Sequence, residues 1–327
     1  MTGTTMLGGR RAAKRRRKLT FDRVSFMAVF LVLPLAIFAI FVISPFVQAL
    51  YFAMTDWTGF SPDMHFIGLE NFVRLFGDDV FLRALLNNVV LAIVVPIVTI
   101  ALALAIASMV TVGGPSTGTV RGLRGSSFYR VVSFFPYTVP AIAVGLIWAQ
   151  VYDPSRGLLN GLLAGVGLDG FADFPWLGKA TTALPASIFV IIWSFVGFYT
   201  VLFVAAIKGI PAETYEAARL DGAGRFRTAF SITIPQIRDS VRTAYVYLGI
   251  IALDAFIYMQ ALNPTGGPEY STLTMSQQLY TVAFRKGQFG YATAMGVVLA
   301  VVTLMFAAIV FLADRLTSGR ADGKERT

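Results

Sequence analysis

The sequence has no cysteine and a single histidine, His65. A disulfide framework and a thiolate metal site are excluded, and imidazole metal centres or Ser-His-Asp catalysis have only this one ring to draw on. Charge is scarce too: Asp, Glu, Lys and Arg make up 14% of the 327 residues against 56% hydrophobic, with a mean hydropathy of +0.69. A soluble fold with so few charges would expose too much apolar surface to stay dispersed, so the chain reads as a membrane protein. A Gly-x-x-x-x-Gly-Lys-Ser/Thr phosphate loop is also missing, Gly178-Lys179 being followed by Ala180. The chain is therefore not expected to be an enzyme, and no metal site or catalytic residue is expected on it.

What is present is apolar runs. A helix needs about 20 such residues to cross a bilayer, because its backbone polar groups must pair within the segment. Six stretches qualify: Val24–Thr55, Leu85–Val112, Val131–Tyr152, Ala180–Ile207, Thr243–Leu262 and Tyr291–Ala313. Only the fifth carries an ionisable Asp, Glu, Lys or Arg, namely Asp254. The basic residues flank these stretches, which argues against a nucleic-acid partner despite the net charge of +9. With the N-terminus inside, alternate segments hold 8, 3, 6 and 4 of the 27 Lys and Arg, and the outer side only 6: Arg74, Arg83, Arg156, Lys179, Arg285 and Lys286. Cations are retained on the cytoplasmic side, so both termini are expected there, in a multi-pass protein of a bacterial cytoplasmic membrane.

The basic run from Arg10 to Lys18 suits a nucleic-acid arm or a targeting signal in isolation. Placed before about 30 apolar residues it reads as a topology anchor, and the stretch is too long for a cleaved signal peptide. Outer segments Trp57-Thr58-Gly59-Phe60, Gly68-Leu69-Glu70-Asn71-Phe72 and Phe174-Pro175-Trp176-Leu177-Gly178 read either as an aromatic belt or as short helices and turns against headgroups or a partner. The inner segment Val112–Phe128 reads as a flexible connector. The expected organisation is a basic N-terminus (1–23), a first span (24–55), an outer loop (56–84), a core (85–313) with an inner loop (208–240), and a tail (314–327).

That inner loop is longer than neighbouring spans need. Pro211 suits a first helical position and Glu213 the positive end of the dipole, so a short helix should start there. Gly222 should end it, and a second helix should run from Gly224 to about Thr233 before Pro235 stops it. Small residues Ala217, Ala218, Gly222 and Ala223 admit another backbone closely, with Glu216, Asp221 and Arg225 offering charge pairs around them. The physics allows a docking knob for a partner or an amphipathic loop lying on the bilayer.

Glu216-Ala217-Ala218-x-x-Asp221-Gly222-Ala223 followed by Ile232-x-Ile234-Pro235 resembles the EAA loop of binding-protein-dependent ABC importers of type I fold. Thr55-Asp56-Trp57, Phe66 to Phe72, Thr265-Gly266-Gly267-Pro268, Ala283-Phe284 and Gly290 to Met295 are similar to carbohydrate permeases of the maltose and glycerol-3-phosphate importer group, larger-subunit type. The resemblance implies an all-α membrane protein of six transmembrane helices with the type I ABC importer permease (MetI-like) fold and cytosolic coupling helices. It implies ATPase docking through Glu216, Ala217, Ala218, Asp221, Gly222, Ala223 and Pro235. It further implies a second homologous permease forming a heterodimer, two ATPase subunits carrying ATP and Mg, an extracytoplasmic solute-binding protein, and no cofactor on this chain. The function implied is the membrane subunit of an ATP-driven sugar importer; a non-sugar solute or proton-coupled secondary transport are the alternatives. The chain departs from the family pattern at Ala229, with Phe230 one place later, and at Asp239.

For the solute path, a carboxylate in mid-span is costly unless it faces protein or water, so Asp254 is expected to face the interior. Its role is a hydrated place in the path, a structural hydrogen bond, or proton coupling. Tyr258 at i+4 and Gln260 at i+6 would give that helix a polar stripe. On the fourth span, Trp193, Gly197, Phe198 and Tyr199 either line the same cavity, with Gly197 leaving room, or pack helices together. Ile191 and Phe195 stand where the maltose-type relative has polar or small residues.

Overall fold

The computed structural model describes residues 21–111 and 126–322. The basic run Arg10–Lys18, most of the connector after Val112, and the last five residues of the tail lie outside the described residues. Two units are distinguished, 1–51 and 52–327.

In the first unit the chain runs as one helical span, α1 (Ser25–Phe52), with mean hydropathy 3.0. It is apolar all round, as a bilayer span must be. Two π turns interrupt it, Ala28–Val32 and Ala39–Ile43, and each is followed two residues on by a proline, Pro34 and Pro45. Proline brings no N–H for the carbonyl four residues back and crowds it with its ring; a locally widened helix relieves both.

The second unit begins with a loop closed by side chains. Asn71, in α2 (Glu70–Phe76), donates from Nδ2 to the carbonyls of Ala53 (2.9 Å) and Thr55 (2.8 Å). The second span is α3 (Asp79–Thr111), which carries Pro96 inside it. It starts six residues before the expected Leu85, because Asp78 caps it: Oδ1 accepts from the N–H groups of Val80 (2.9 Å) and Phe81 (3.2 Å). The fourth span is α7 (Ala180–Lys208), and the sixth is the Phe289–Ala313 part of α13 (Phe289–Asp322).

The third and fifth spans are not the single helices expected. The third is a pair, α4 (Ser126–Thr138) and α5 (Ala141–Val151), bent by 110°. Pro140 stands at the break with ψ 135°, and the residue before a proline is pushed out of the helical region, so the turn is written at Val139-Pro140. The fifth is α10 (Arg238–Leu253) and α11 (Phe256–Leu262), bent by 48° at Asp254 and Ala255. No proline or glycine marks that break. Among the described residues four helices are thus long and apolar enough to cross a membrane, six spans if each bent pair is one.

The core lies where α3, α7, α10 and α11 meet, around Leu91, Val95, Ile191, Phe203, Leu248 and Met259. A second cluster, including Leu75, Phe81, Met275 and Met295, joins α2, α3, α12 (Met275–Tyr280) and α13. Gly197 shows how close the helices come: a Cβ there would strike the backbone carbonyl of Ser133. Close backbone approach through small residues is the usual currency of helix association in bilayers, where apolar burial alone gains little.

Candidate functional site

At one end of the unit α7 stops at Gly209, and Pro211 (φ −56°, ψ 138°) stands just before α8 (Ala212–Leu220). Glu213 occupies the first turn, where the dipole favours it. α8 closes in a Schellman motif: Ala223 N–H donates to the Ala218 carbonyl (2.9 Å) and Gly222 N–H to that of Arg219 (3.0 Å). Gly222 sits at φ +72°, a conformation that a Cβ penalises even though open space surrounds it.

The chain restarts as α9 (Arg225–Thr228), widens into a π turn at Ala229–Thr233, and continues as Ile234–Gln236. The stop expected at Pro235 does not occur. The π turn precedes this proline by two residues, as in α1, and the helix breaks at Ile237 (φ −100°, ψ 16°) instead. Tyr215 pins the pair together from below. It is buried, and its hydroxyl lies 3.3 Å from Thr233 Oγ1, which in turn donates to the Thr228 carbonyl (3.2 Å). Burial pushes the Tyr215 hydroxyl above its ordinary pKa of 10.0, with the Thr233 hydrogen bond opposing.

Of the residues expected to dock a partner, Glu216, Ala217, Asp221, Gly222 and Pro235 are exposed, Ala223 is half-buried, and Ala218 packs inward. Three more were not foreseen. Leu220, Phe226 and Phe230 are 89%, 83% and 68% exposed on the same helical pair. Their signal was available as large apolar residues on both sides of Gly222, outside the pattern of small and charged residues. Such side chains beside Glu216 and Asp221 make a surface suited to burial by another protein.

In the membrane region the candidates separate. Asp254 ends α10 at φ −109°, ψ 45° and is exposed on this chain, where an interior position was expected. The helix breaks between it and Tyr258, so the i+4 face they were expected to share does not exist. Tyr258 is buried, edge-on to Phe195 at 6.3 Å. Gln260 is half-buried and accepts from Gln277 Nε2 (3.4 Å). Trp193 meets Trp148 edge-on at 5.4 Å, and Phe198 stacks on Tyr137 at 4.5 Å; both keep partial exposure. Tyr199 is buried against the Phe198 ring at 5.1 Å. The room Gly197 was expected to leave is filled by the Ser133 backbone.

Two residues missed in the sequence hold the broken fifth span and the segment that follows it. Asn88 Nδ2 donates to the Leu253 carbonyl (2.5 Å), one of the groups a helix end leaves unpaired, and its Oδ1 accepts from Met275 N–H (2.9 Å). Asn87 Nδ2 donates to the carbonyls of Tyr270 and Leu273, both at 2.9 Å. The segment they fasten contains Thr265-Gly266-Gly267-Pro268 and then Glu269 and Tyr270 at φ +53° and +57°, a strained region for residues with a side chain.

The other end of the unit is a set of self-packed loops. Gly290 N–H donates to the Trp57 carbonyl (2.8 Å), joining two motifs far apart in sequence. Asp56 accepts from His65 through its backbone N–H (2.7 Å), and its other oxygen lies 3.0 Å from His65 Nδ1; these hydrogen bonds hold the Asp56 carboxyl below its ordinary 3.8. Trp176 Nε1 donates to Asn160 Oδ1 (2.6 Å) and the indole stacks on Phe171. These aromatics close their own loops.

Residues 110–319 match the family described as "Binding-protein-dependent transport system inner membrane component". The chain is 66% identical over 312 residues to the diacetylchitobiose uptake system permease protein NgcF of Streptomyces coelicolor, covering 95% of this chain and 88% of that one. It is 30% identical over 276 residues to the multiple sugar-binding transport system permease protein MsmF of Streptococcus mutans, covering 84% and 89%. Its fold is similar to a chain of a bacterial ABC transporter involved in the import of the acidic polysaccharide alginate, with TM-score 0.75 and 25% identity over 90% of this chain and 96% of that one. It is similar, at the same TM-score and coverage, to a chain of a bacterial alginate ABC transporter in complex with alginate pentasaccharide-bound periplasmic protein.

Proposed function

The chain belongs to the binding-protein-dependent transport system inner membrane components, and from that premise we propose that it forms half of the path of an ATP-driven sugar importer, taking a short N-acetylated oligosaccharide such as diacetylchitobiose. The sugar rests on the 66% identity with a permease named for diacetylchitobiose uptake. The coupling role rests on one observation: a Schellman-closed helical pair, anchored by Tyr215 and presenting Glu216, Leu220 and Phe226 outward. As a permease subunit the chain is not itself an enzyme. ATP and Mg belong to two ATPase subunits on the cytosolic side, and a second, homologous permease completes the path.

The orientation puts both termini and the α8–α9 pair in the cytosol, supported by the 21 to 6 division of Lys and Arg. The loops 52–78, 152–179 and 263–288 then face outward, toward the solute-binding protein. When the ATPases close on ATP, a knob seated in each is carried along. Tyr215 and Ile237 are buried in the same core as α7 and α10, so displacement of the pair reaches the membrane helices through packed side chains. The path is assigned to the exposed Asp254 and the half-buried Trp193 and Phe198, whose polar group and ring faces suit a hydroxyl-rich solute.

Glu216→Lys reverses a charge on the docking face without touching the core. Expected is normal membrane insertion with loss of ATPase co-purification and of uptake. Wild-type co-purification and uptake in this variant would refute the docking assignment.

A further inference from the structure

At the end of the unit opposite the α8–α9 pair lies a cavity of about 260 Å³, between the start of α3, the 264–273 turn and α12 with its following π turn, Thr281–Arg285. Its wall is built by the register of one helix. Thr274 and Gln277 form a capping box that fixes where α12 begins. Gln278, Thr281 and Arg285 then fall on one face and line the cavity, with Lys286 closing it.

The donors here are unspent. Gln278 is 6% exposed, lines the cavity, and its side-chain amide has no partner among the described residues. Its amide keeps contact with the solvent in the cavity and can donate to a group that enters. Neither Arg285 nor Lys286 has an ion-pair partner among the described residues, and both are exposed at the rim. The single acid in the wall, Asp78, is already engaged: it accepts from Val80 and Phe81 N–H and from the Tyr291 hydroxyl (2.9 Å). Two free cations, an amide and a hydroxyl ask for an acceptor-only group with negative charge, which is a carboxylate. The volume falls below the roughly 300 Å³ where small-ligand sites begin, so it suits one side chain rather than an oligosaccharide.

We propose that this cavity is a socket for an acidic side chain of the solute-binding protein, an Asp or Glu that enters between Arg285 and Lys286 and reaches Gln278. The proposal rests on the importer reading above, which turns this end of the molecule outward. A socket of this kind sets docking affinity and association rate, and leaves the chemistry of ATP hydrolysis alone.

The test uses the whole transporter, with its second permease and ATPases, in nanodiscs, with ATPase activity titrated against sugar-loaded binding protein. The doubly substituted Arg285→Glu, Lys286→Glu transporter should need about tenfold more binding protein for half-maximal stimulation, with basal and saturated rates kept. Added salt should weaken docking to the wild type more steeply than to this variant. Gln278→Leu, which removes the amide without changing charge, should raise the half-maximal concentration severalfold. Unchanged half-maximal concentrations, or a fall in the saturated rate alone, would overturn the socket. So would sodium glucuronate binding to the wild-type transporter but not to the double variant, because the cavity would then serve an acidic sugar. A wild type that binding protein does not stimulate at all would sink the importer reading and this proposal with it; a stimulated wild type matched by the variants would sink the socket alone.

Discussion

Asn88→Ala removes a side chain that serves two distant backbone groups at once. Asn88 is fully buried in α3; it gives a hydrogen to the Leu253 carbonyl at 2.5 Å and takes one from Met275 N–H at 2.9 Å. Truncation leaves both groups buried without partners, at about 1–3 kcal/mol each, so the loss sums to about 2–6 kcal/mol. At about 2–4 °C per kcal/mol, the figure for domains of roughly 150–250 residues, the midpoint of thermal unfolding should fall by about 4–24 °C. The natural control lies three turns along the same helix. Thr99 is also fully buried, but its Oγ1 has no hydrogen-bond partner, so Thr99→Val removes an unpaired polar atom and should leave the midpoint level or raise it. Intrinsic-fluorescence melting of the detergent-purified protein reads both. An Asn88→Ala midpoint within about 2 °C of wild type, or a Thr99→Val loss as large as that of Asn88→Ala, would refute the assignment of the fifth-span break to this amide.

Gly222→Val should cost about 1–2 kcal/mol from the left-handed backbone at φ +72° and weaken ATPase co-purification, while Gly222→Asn, which tolerates that region, should behave close to wild type. Tyr215 has a raised folded pKa, so its contribution is complete below the unfolded value of 10.0 and is lost as pH climbs through the folded one. Proteolytic nicking of the 212–236 segment should therefore rise only on the alkaline side of 10, and Tyr215→Phe should abolish that pH step. Asp56 has a lowered folded pKa, so its clasp on His65 is complete above the ordinary 3.8 and is lost as pH falls through the lower folded value. Amide exchange at His65 should speed up in that acid range, and in Asp56→Ala, which removes the acceptor, it should be fast at neutral pH as well.

Charge placement and run length made six crossings legible, since both act over whole segments. The shape of two crossings was not. Pro140 announces its own bend locally, but it sits inside a run, Val131–Tyr152, apolar enough to read as one helix. At Asp254 the sequence carries no breaker at all; the break is tolerated because Asn88, 165 residues away, receives the Leu253 carbonyl. Two amides in an apolar run are visible, but not which carbonyls they serve. Gly222 was readable because positive φ is a local demand, whereas Gly197 was read as space and is a backbone contact, which only the position of α4 decides. Leu220 and Phe226 were visible as large apolar residues beside Gly222, but their exposure is a property of the fold that spacing does not carry.

The account stands or falls on what drives solute across. The whole transporter in proteoliposomes, with ATP sealed inside and binding protein loaded with diacetylchitobiose outside, should take up the sugar only when both are present, and Glu216→Lys should abolish uptake. Uptake that persists without ATP and collapses when the proton gradient is dissipated would contradict it.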